Sequence, residues 1–296
     1  MLQSERTIQF WNEYHEQNKS KEWIFQSSVD LLEVLRQQCP TTSSPKLRIL
    51  EIGCGTSSLT RDLWKHIISG NENNGHRQYV HAIATDVSST CIQLLRERDA
   101  VILENNDKSN GNILEYRTLD VINPSNEIPA SFSCHVVLDK GCLDTFLFRS
   151  RNRGANNSYS TMLKKLLDNI WSWLTDDGVY LIISPRAKLK AVRDYAGFRT
   201  VRQHALANLS KGDLVNEEKN PSPGYIHVCQ KNPYYKIGET PAFGGVVEEK
   251  DTPSEDAKCS KCGITFAGLR KGEVLDGRGT IFWIRQWKGH CQHCKH

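Results

Sequence analysis

Two rhythms of apolar residues alternate along this 296-residue chain, and the switches between them lay out strands and helices in turn. Leu47, Ile49, Leu50 and Ile52 form a nearly unbroken apolar run, the pattern of a parallel strand covered on both faces. Glu51 interrupts it near its carboxyl end, and Gly53 and Gly55 then turn the chain. Thr56, Ser57 and Ser58 can cap a helix carrying Leu59, Leu63 and Ile67 at helical spacing. Tyr79–Asp86 is a second strand ending in an acid, and Ser88 or Ser89 can cap a helix from Cys91 to Arg98. Further strands are expected at Leu114–Asp120, Phe132–Leu138 and Val179–Ser184. Between the last two, Met162, Leu163, Leu166, Leu167, Ile170 and Leu174 mark one face of a helix that Asp176–Gly178 ends. A helix near Ala187–Tyr195 precedes Arg199–His204 and Tyr225–Gln230, which read as an antiparallel pair closing the sheet. Upstream, residues 8–25 are rich in aromatics, and Ser28–Gln38 is a helix that Cys39-Pro40 stops. The sum is an α/β fold with a Rossmann-like sheet of seven strands.

In such a sheet the ligand lies at the carboxyl edge of the strands, where the strand order reverses. The turn Gly53-Cys54-Gly55 lacks the third glycine of the dinucleotide fingerprint, since position 58 is serine. A pyrophosphate would also face Glu51 with no cation between. S-adenosylmethionine carries no phosphate; Glu51 suits its cationic end, and the glycines let the backbone approach. Asp86, followed by Val87, is then the expected ribose ligand, although it lies more than the usual ~20 residues beyond the glycines because of an Asn-rich loop. Asp120 and Val121 are placed to meet the adenine, with a carboxylate for the exocyclic amine and a backbone amide for a ring nitrogen. Trp11, Tyr14 or Trp23 can line the pocket as a lid, the alternative being a helix that packs its aromatics on the domain edge. Asp139 and Lys140 leave the fourth strand where the transferred group should lie. Amino-methylating enzymes of bases or glutamine would show Asn/Asp-Pro-Pro-Tyr/Phe there, and this chain does not. Arg149–Asn157 reads as a basic loop, solvated or in contact with an acidic partner.

Composition narrows the setting. A net charge of +4 is too small to argue for nucleic acid. No apolar run reaches the roughly 18 residues of a membrane span. The amino end lacks an apolar signal core and carries Glu5, Glu13 and Glu16, which a transit peptide avoids, so a cytoplasmic protein is expected. Cys39, Cys54, Cys91, Cys134, Cys142 and Cys229 are scattered through expected core elements, while four more form two C-x-x-C pairs in the last 38 positions. That distribution points to a reducing compartment and a metal site.

Glu51-Ile-Gly-Cys-Gly-Thr-Ser-Ser-Leu59 and Leu138-Asp-Lys-Gly-Cys-Leu-Asp144 resemble the seven-β-strand protein-lysine methyltransferases, in the branch of the citrate synthase and elongation factor 1-alpha lysine methyltransferases. The aromatic opening and the closing strand Tyr225–Gln230 extend the resemblance to about residues 8–232. It implies a class I methyltransferase sheet, S-adenosylmethionine as cofactor and a protein substrate. Its cofactor contacts fall on Trp11, Trp23, Gly53, Asp86, Asp120, Val121 and around Asp139-Lys140. Two positions depart from the family pattern. His15 stands where an aromatic is expected, with Tyr14 one residue early, and Lys-Gly-Thr becomes Lys140-Gly141-Cys142. The Gly-Thr-Ser-Ser-Leu wording leans toward the citrate synthase enzyme, which is mitochondrial. Asp139, at the switch point, is the candidate to orient or deprotonate the acceptor amine, whose proton must leave because a free lysine has a pKa near 10.4.

The tail stands outside the resemblance. Residues 233–257 are polar and punctuated by Pro241, Gly244, Gly245 and Pro253, as a linker is, so the domains read as 1–232, a linker, and 258–296. Cys259, Cys262, Cys291 and Cys294 pair at C-x-x-C spacing with 28 residues between the pairs, which suits a closed structural zinc site. His290 could take the place of Cys291. A segment of this length needs such a staple to bury Phe266, Ile281, Phe282, Trp283 and Trp287. Its basic residues and tryptophans suit substrate recruitment, with nucleic-acid binding as the runner-up. The competing readings are a methyltransferase of RNA or small molecules, and an inactive methyltransferase fold that binds through its zinc domain.

Overall fold

The structure, a computed structural model, describes residues 3–18, 28–40, 44–73, 78–104, 111–124, 132–152, 157–206 and 224–237. The chain divides into two units, Met1–Phe243 and Gly244–His296. The expected zinc ligands Cys259, Cys262, Cys291 and Cys294 lie outside the described residues, as does Trp23.

Seven strands form one sheet: β1 (Lys46–Ile52), β2 (Tyr79–Asp86), β3 (Ile113–Thr118), β4 (Cys134–Lys140), β5 (Leu174–Ser184), β6 (Phe198–Leu206) and β7 (Gly224–Lys231). Their order is β3-β2-β1-β4-β5-β7-β6. β3 through β5 in that order are parallel, and β7 runs antiparallel between β5 and β6. The order reverses between β1 and β4, which opens a crevice at their carboxyl ends.

Helices α1 (Gln3–Gln17), α2 (Val29–Gln38), α3 (Leu59–Asn73), α4 (Ser89–Arg98), α5 (Ala100–Glu104), α6 (Cys142–Asn152), α7 (Asn157–Trp173) and α8 (Lys190–Arg193) complete the fold. Alternate residues of β1 feed two cores, as the two-residue period of a strand requires. Leu47 and Ile49 join Leu31 and Leu35 of α2 and Leu59 and Leu63 of α3 on one face. Leu50 and Ile52 join Leu166 and Ile170 of α7, with Tyr180 and Ile182 of β5, on the other. The α2 cap is Ser28, whose Oγ accepts the Leu31 N–H, and Ser88 does the same for Cys91 at α4.

Several boundaries differ from those read in the sequence. β3 stops at Thr118, so Asp120 lies in the turn beyond it. β4 continues through Asp139 and Lys140, because Ile52 pairs with Asp139 and Ile183 with Lys140 on its two flanks. Asp139 therefore does not stand free of the strand. α7 ends at Trp173 and β5 begins at Leu174, ahead of the expected stop at Asp176–Gly178; a register shift between Cys134 and Val136 lets Leu174 join the ladder early. α6 takes in much of what reads as the basic loop Arg149–Asn157. Its Leu143, Phe146 and Leu147, at helical spacing, pack on the second core. The short α5 is not evident from apolar spacing. Among the described residues the cysteines are free thiols, and no helix is long and apolar enough to cross a membrane.

Candidate active site

The turn after β1 is shaped by its glycines. Gly53 and Gly55 have φ of 57° and 54°, the left-handed region in which a Cβ is costly. A Cβ on Gly53 would also stand 2.7 Å from Cys142 Cβ and 2.8 Å from its Sγ, so the turn rests directly on the first residue of α6. The Cys54 N–H donates to the Thr85 carbonyl at 2.9 Å, which ties the turn to β2. Asp86 ends β2 with its side chain only 7% exposed, where Oδ2 accepts the Gly55 N–H at 3.0 Å and Oδ1 the Ser88 N–H at 2.9 Å. Burial pushes the Asp86 carboxyl up, while those amides and the neighbouring His15 pull it back.

Helix α1 lies across this edge. The Ser88 hydroxyl donates to Asn12 Oδ1 at 2.7 Å, which pins α1 to the start of α4. One turn later His15 is 5% exposed, stacked on Trp11 and edge-on to Tyr14, with its Nδ1 buried and without a hydrogen-bond partner. Burial lowers the imidazole's affinity for a proton, and Asp86 opposes that. Glu51 is fully buried and accepts the Thr60 hydroxyl, joining β1 to the first turn of α3. Beyond β3, Asp120 Oδ1 accepts the Ile122 N–H at 2.9 Å, and Oδ2 the Asn123 side-chain amide at 3.1 Å. The Val121 carbonyl accepts from Asn169 of α7 at 2.8 Å.

The other lip of the crevice is a network of side chains. Asp139 is fully buried: Oδ1 accepts the Cys142 N–H at 2.8 Å, while Oδ2 accepts the Leu143 N–H at 3.0 Å and the Tyr180 hydroxyl at 2.7 Å. Burial is the main reason its pKa rises to about 7; Tyr180 and the amides oppose that, and nearby Asp144 adds to it. The Asp139 carboxylate is thus a cap on α6. Lys140, beside it, is buried. Asp144 Oδ1 accepts from Arg186 Nε at 2.8 Å and from the Ser184 hydroxyl at 3.1 Å, and His227 meets the Arg186 carbonyl through Nε2 at 2.8 Å. Burial raises the Asp144 carboxyl and lowers the His227 imidazole.

The structure brings Gly53, Cys54, Gly55, Asp86, His15 and Cys142 together, with Asp139 and Asp144 in electrostatic reach of Cys142. Sequence reading passed over Asn12, Tyr180, Ser184 and Arg186. Of these, only Ser184 and Arg186 carry a signal, as polar residues at the carboxyl end of an apolar strand.

No family model and no curated protein matches the chain. Solved structures do match. One described as the conversion of a disulfide bond into a thioacetal group during echinomycin biosynthesis is 11% identical, with 77% of this chain and 94% of that one covered and a TM-score of 0.49. The N-methyltransferase NodS from Bradyrhizobium japonicum, in complex with S-adenosyl-L-homocysteine, is also 11% identical, covering 75% and 98% at a TM-score of 0.45. The citrinin polyketide synthase CMeT domain is 18% identical, with 67% of this chain covered and a TM-score of 0.39; this chain spans half of that one's length. At such identities and scores the functional reading rests on this chain's own strand order and site.

Proposed function

We propose that this chain is an S-adenosylmethionine-dependent methyltransferase acting on a lysine side chain of a protein, with a zinc-binding tail held by Cys259, Cys262, Cys291 and Cys294. The carrying observation is Asp86. Its carboxylate ends β2, the strand next to β1 on the carboxyl edge of the sheet, and is aligned by the Gly55 and Ser88 amides beside a turn whose first glycine admits no side chain.

The residues present fit the cofactor: a carboxylate for a diol, an open glycine backbone and a bordering aromatic helix. Asp86 would hold the ribose hydroxyls, with Val87 beside it. The Gly53-Cys54-Gly55 backbone would lie along the amino-acid end, and Asp120 and Val121 would border the adenine. Trp11 and Tyr14 of α1 would cover the site, with Trp23 the third aromatic of that lid. Glu51, joined through one oxygen to the Thr60 hydroxyl, would bring its carboxylate to the cationic end of the cofactor. When bound, S-adenosylmethionine supplies an electrophilic methyl group on a sulfonium sulfur.

On the acceptor side the chain's own work is alignment and proton handling. Asp139 caps α6 and fixes Tyr180, and so positions the floor of the crevice. Asp144, clamped by Arg186 and Ser184, adds a second acid to that lip. Alignment supplies most of the rate in such displacements. The lysine assignment is supported by the Leu138–Asp144 motif, and the tail's basic, tryptophan-bearing sequence suits protein recruitment.

The test is incubation of the full chain with methyl-labelled S-adenosylmethionine and a cell lysate, resolved with and without nuclease. A nuclease-resistant protein band carrying methyl-lysine by mass spectrometry is expected. Label lost to nuclease would move the acceptor to RNA, and cofactor binding without any label would favour a binding module. Zinc is checked separately by metal analysis of the chain and of Cys259→Ser.

A further inference from the structure

Beside the crevice, three metal-binding side chains from separate elements converge. A ring nitrogen of His15 on α1, a carboxylate oxygen of Asp86 at the end of β2 and the thiol of Cys91 in α4 all lie within 4.8 Å of one another, and all three residues are buried. Cys54 of the glycine turn, also buried, is close enough to Cys91 for the two thiols to influence each other. We propose that His15, Asp86 and Cys91 form a binding site for a divalent transition-metal ion of the zinc or cobalt type, and that occupancy of this site excludes the cofactor.

The donor set argues for the class of ion. One imidazole, one carboxylate and one thiolate make a mixed nitrogen, oxygen and sulfur set, which suits a borderline ion such as Zn2+ rather than Mg2+ or Ca2+. With bonds of about 2.0–2.3 Å, tetrahedral donors stand roughly 3.3–3.8 Å apart. Contraction by about 1 Å from the observed limit closes the site. Much of the support is already built. The Gly55 and Ser88 amides fix the two Asp86 oxygens, each with a lone pair to spare. The Ser88–Asn12 hydrogen bond holds α1, and so His15, over them. His15 also has bonding capacity to spend, because its Nδ1 is buried and unpartnered. On binding, the Cys91 thiol releases its proton to solvent and its sulfur donates to the ion.

Exclusion rests on Asp86. An ion seated on one of its oxygens under His15 would take up the carboxylate's charge and the approach beside the glycine turn that the ribose hydroxyls need. That half of the proposal rests on the cofactor reading, whereas the metal site itself does not.

The test uses the full chain, freed of metal and titrated anaerobically with Co2+, whose thiolate charge-transfer absorption counts cysteine-bound ions. Tail cysteines contribute too, so the reading is the difference between wild type and Cys91→Ala. Wild type is expected to take about one ion more, His15→Gln to lose the same increment, and saturating S-adenosylhomocysteine to remove that increment alone. With the ion at roughly ten times its dissociation constant, S-adenosylhomocysteine affinity should fall about tenfold. Thermal melting of each metal-free variant confirms that it folds, and Cys91→Ser replaces Cys91→Ala if the latter does not. Equal ion counts in wild type and a folded variant overturn the proposal. An increment that S-adenosylhomocysteine leaves in place keeps the metal site and overturns the exclusion. A wild type that takes the extra ion yet binds no S-adenosylhomocysteine when metal-free upholds the site and sinks the cofactor reading instead.

Discussion

The two lips of the crevice are built from different materials. On the β2 side, Asp86 is aligned by backbone amides, those of Gly55 and Ser88. On the β4–β5 side, Asp139 also accepts the Cys142 and Leu143 amides, but it and Asp144 are tied in addition to the side chains of Tyr180, Ser184 and Arg186, each 40 to 42 positions away. Backbone donors survive any substitution that keeps the turn, so the first lip suits a ligand that never changes. Side-chain clamps can be exchanged one by one, so the second lip is where acceptor choice can be respecified.

The largest effect should come from removing the anchor of the first lip. Asp86→Ala loses charge-assisted hydrogen bonds to a diol, together worth on the order of 3 kcal/mol, so S-adenosylhomocysteine affinity by calorimetry should fall roughly 100-fold. Arg186→Ala, on the second lip, should leave that affinity within about twofold while cutting methyl incorporation into the lysate band. Equal losses of affinity in both variants would show that the lips are not separable.

Gly53→Ala tests the seam between them. The added Cβ meets both a left-handed φ of 57° and Cys142 Cβ at 2.7 Å, so about 2–3 kcal/mol of stability should be lost in chemical denaturation. Cys142→Gly should return part of it, since the contact goes while the φ penalty stays. No coupling between the two substitutions would mean that the turn relaxes away from α6.

Asp139 ties the second lip to pH. Its folded-state pKa of about 7 lies above the ordinary 3.8, so folding favours the protonated form. That contribution is fully present below about pH 4 and is lost as pH rises toward and through 7, on the order of a few kcal/mol. Asp139→Asn should flatten this fall in the pH dependence of the denaturation midpoint. An unchanged slope would assign the titration to another group.

How much of this could be read from the chain follows the same division. β2 was legible to the residue, because its apolar run and terminal acid are local, and Asp86 with the glycine turn followed from it. The serine cap of α4 was legible for the same reason, with Ser88 the one of two adjacent serines that fills it. Asp139 was found, but its partners were not: the register with Ile52 and the reach of Tyr180 are long-range facts that no local spacing carries. Tyr180 itself read as one more apolar strand residue. Arg186 and Asp144 are joined across 42 positions, and no spacing in one sequence announces such a pair. α6 hid behind arginines that suggested a loop, although Leu143, Phe146 and Leu147 already carried its period.

The smallest expected effect probes the clasp over the first lip. Asn12 accepts the Ser88 hydroxyl at 2.7 Å, and with it α1 is set across the start of α4, carrying Trp11, Tyr14 and His15 to the edge beside Asp86. Asn12→Ala removes the Ser88 hydrogen bond and a longer one from the Thr90 N–H at 3.5 Å, together worth about 1 kcal/mol, and leaves Ser88 free to go on capping α4 through Cys91. Stability should therefore fall by about that much. If α1 covers the cofactor, S-adenosylhomocysteine affinity should drop several-fold, mainly through faster dissociation measured by stopped-flow. A variant that loses stability but keeps its dissociation rate would make α1 a packing element of the edge and return the lid to other residues.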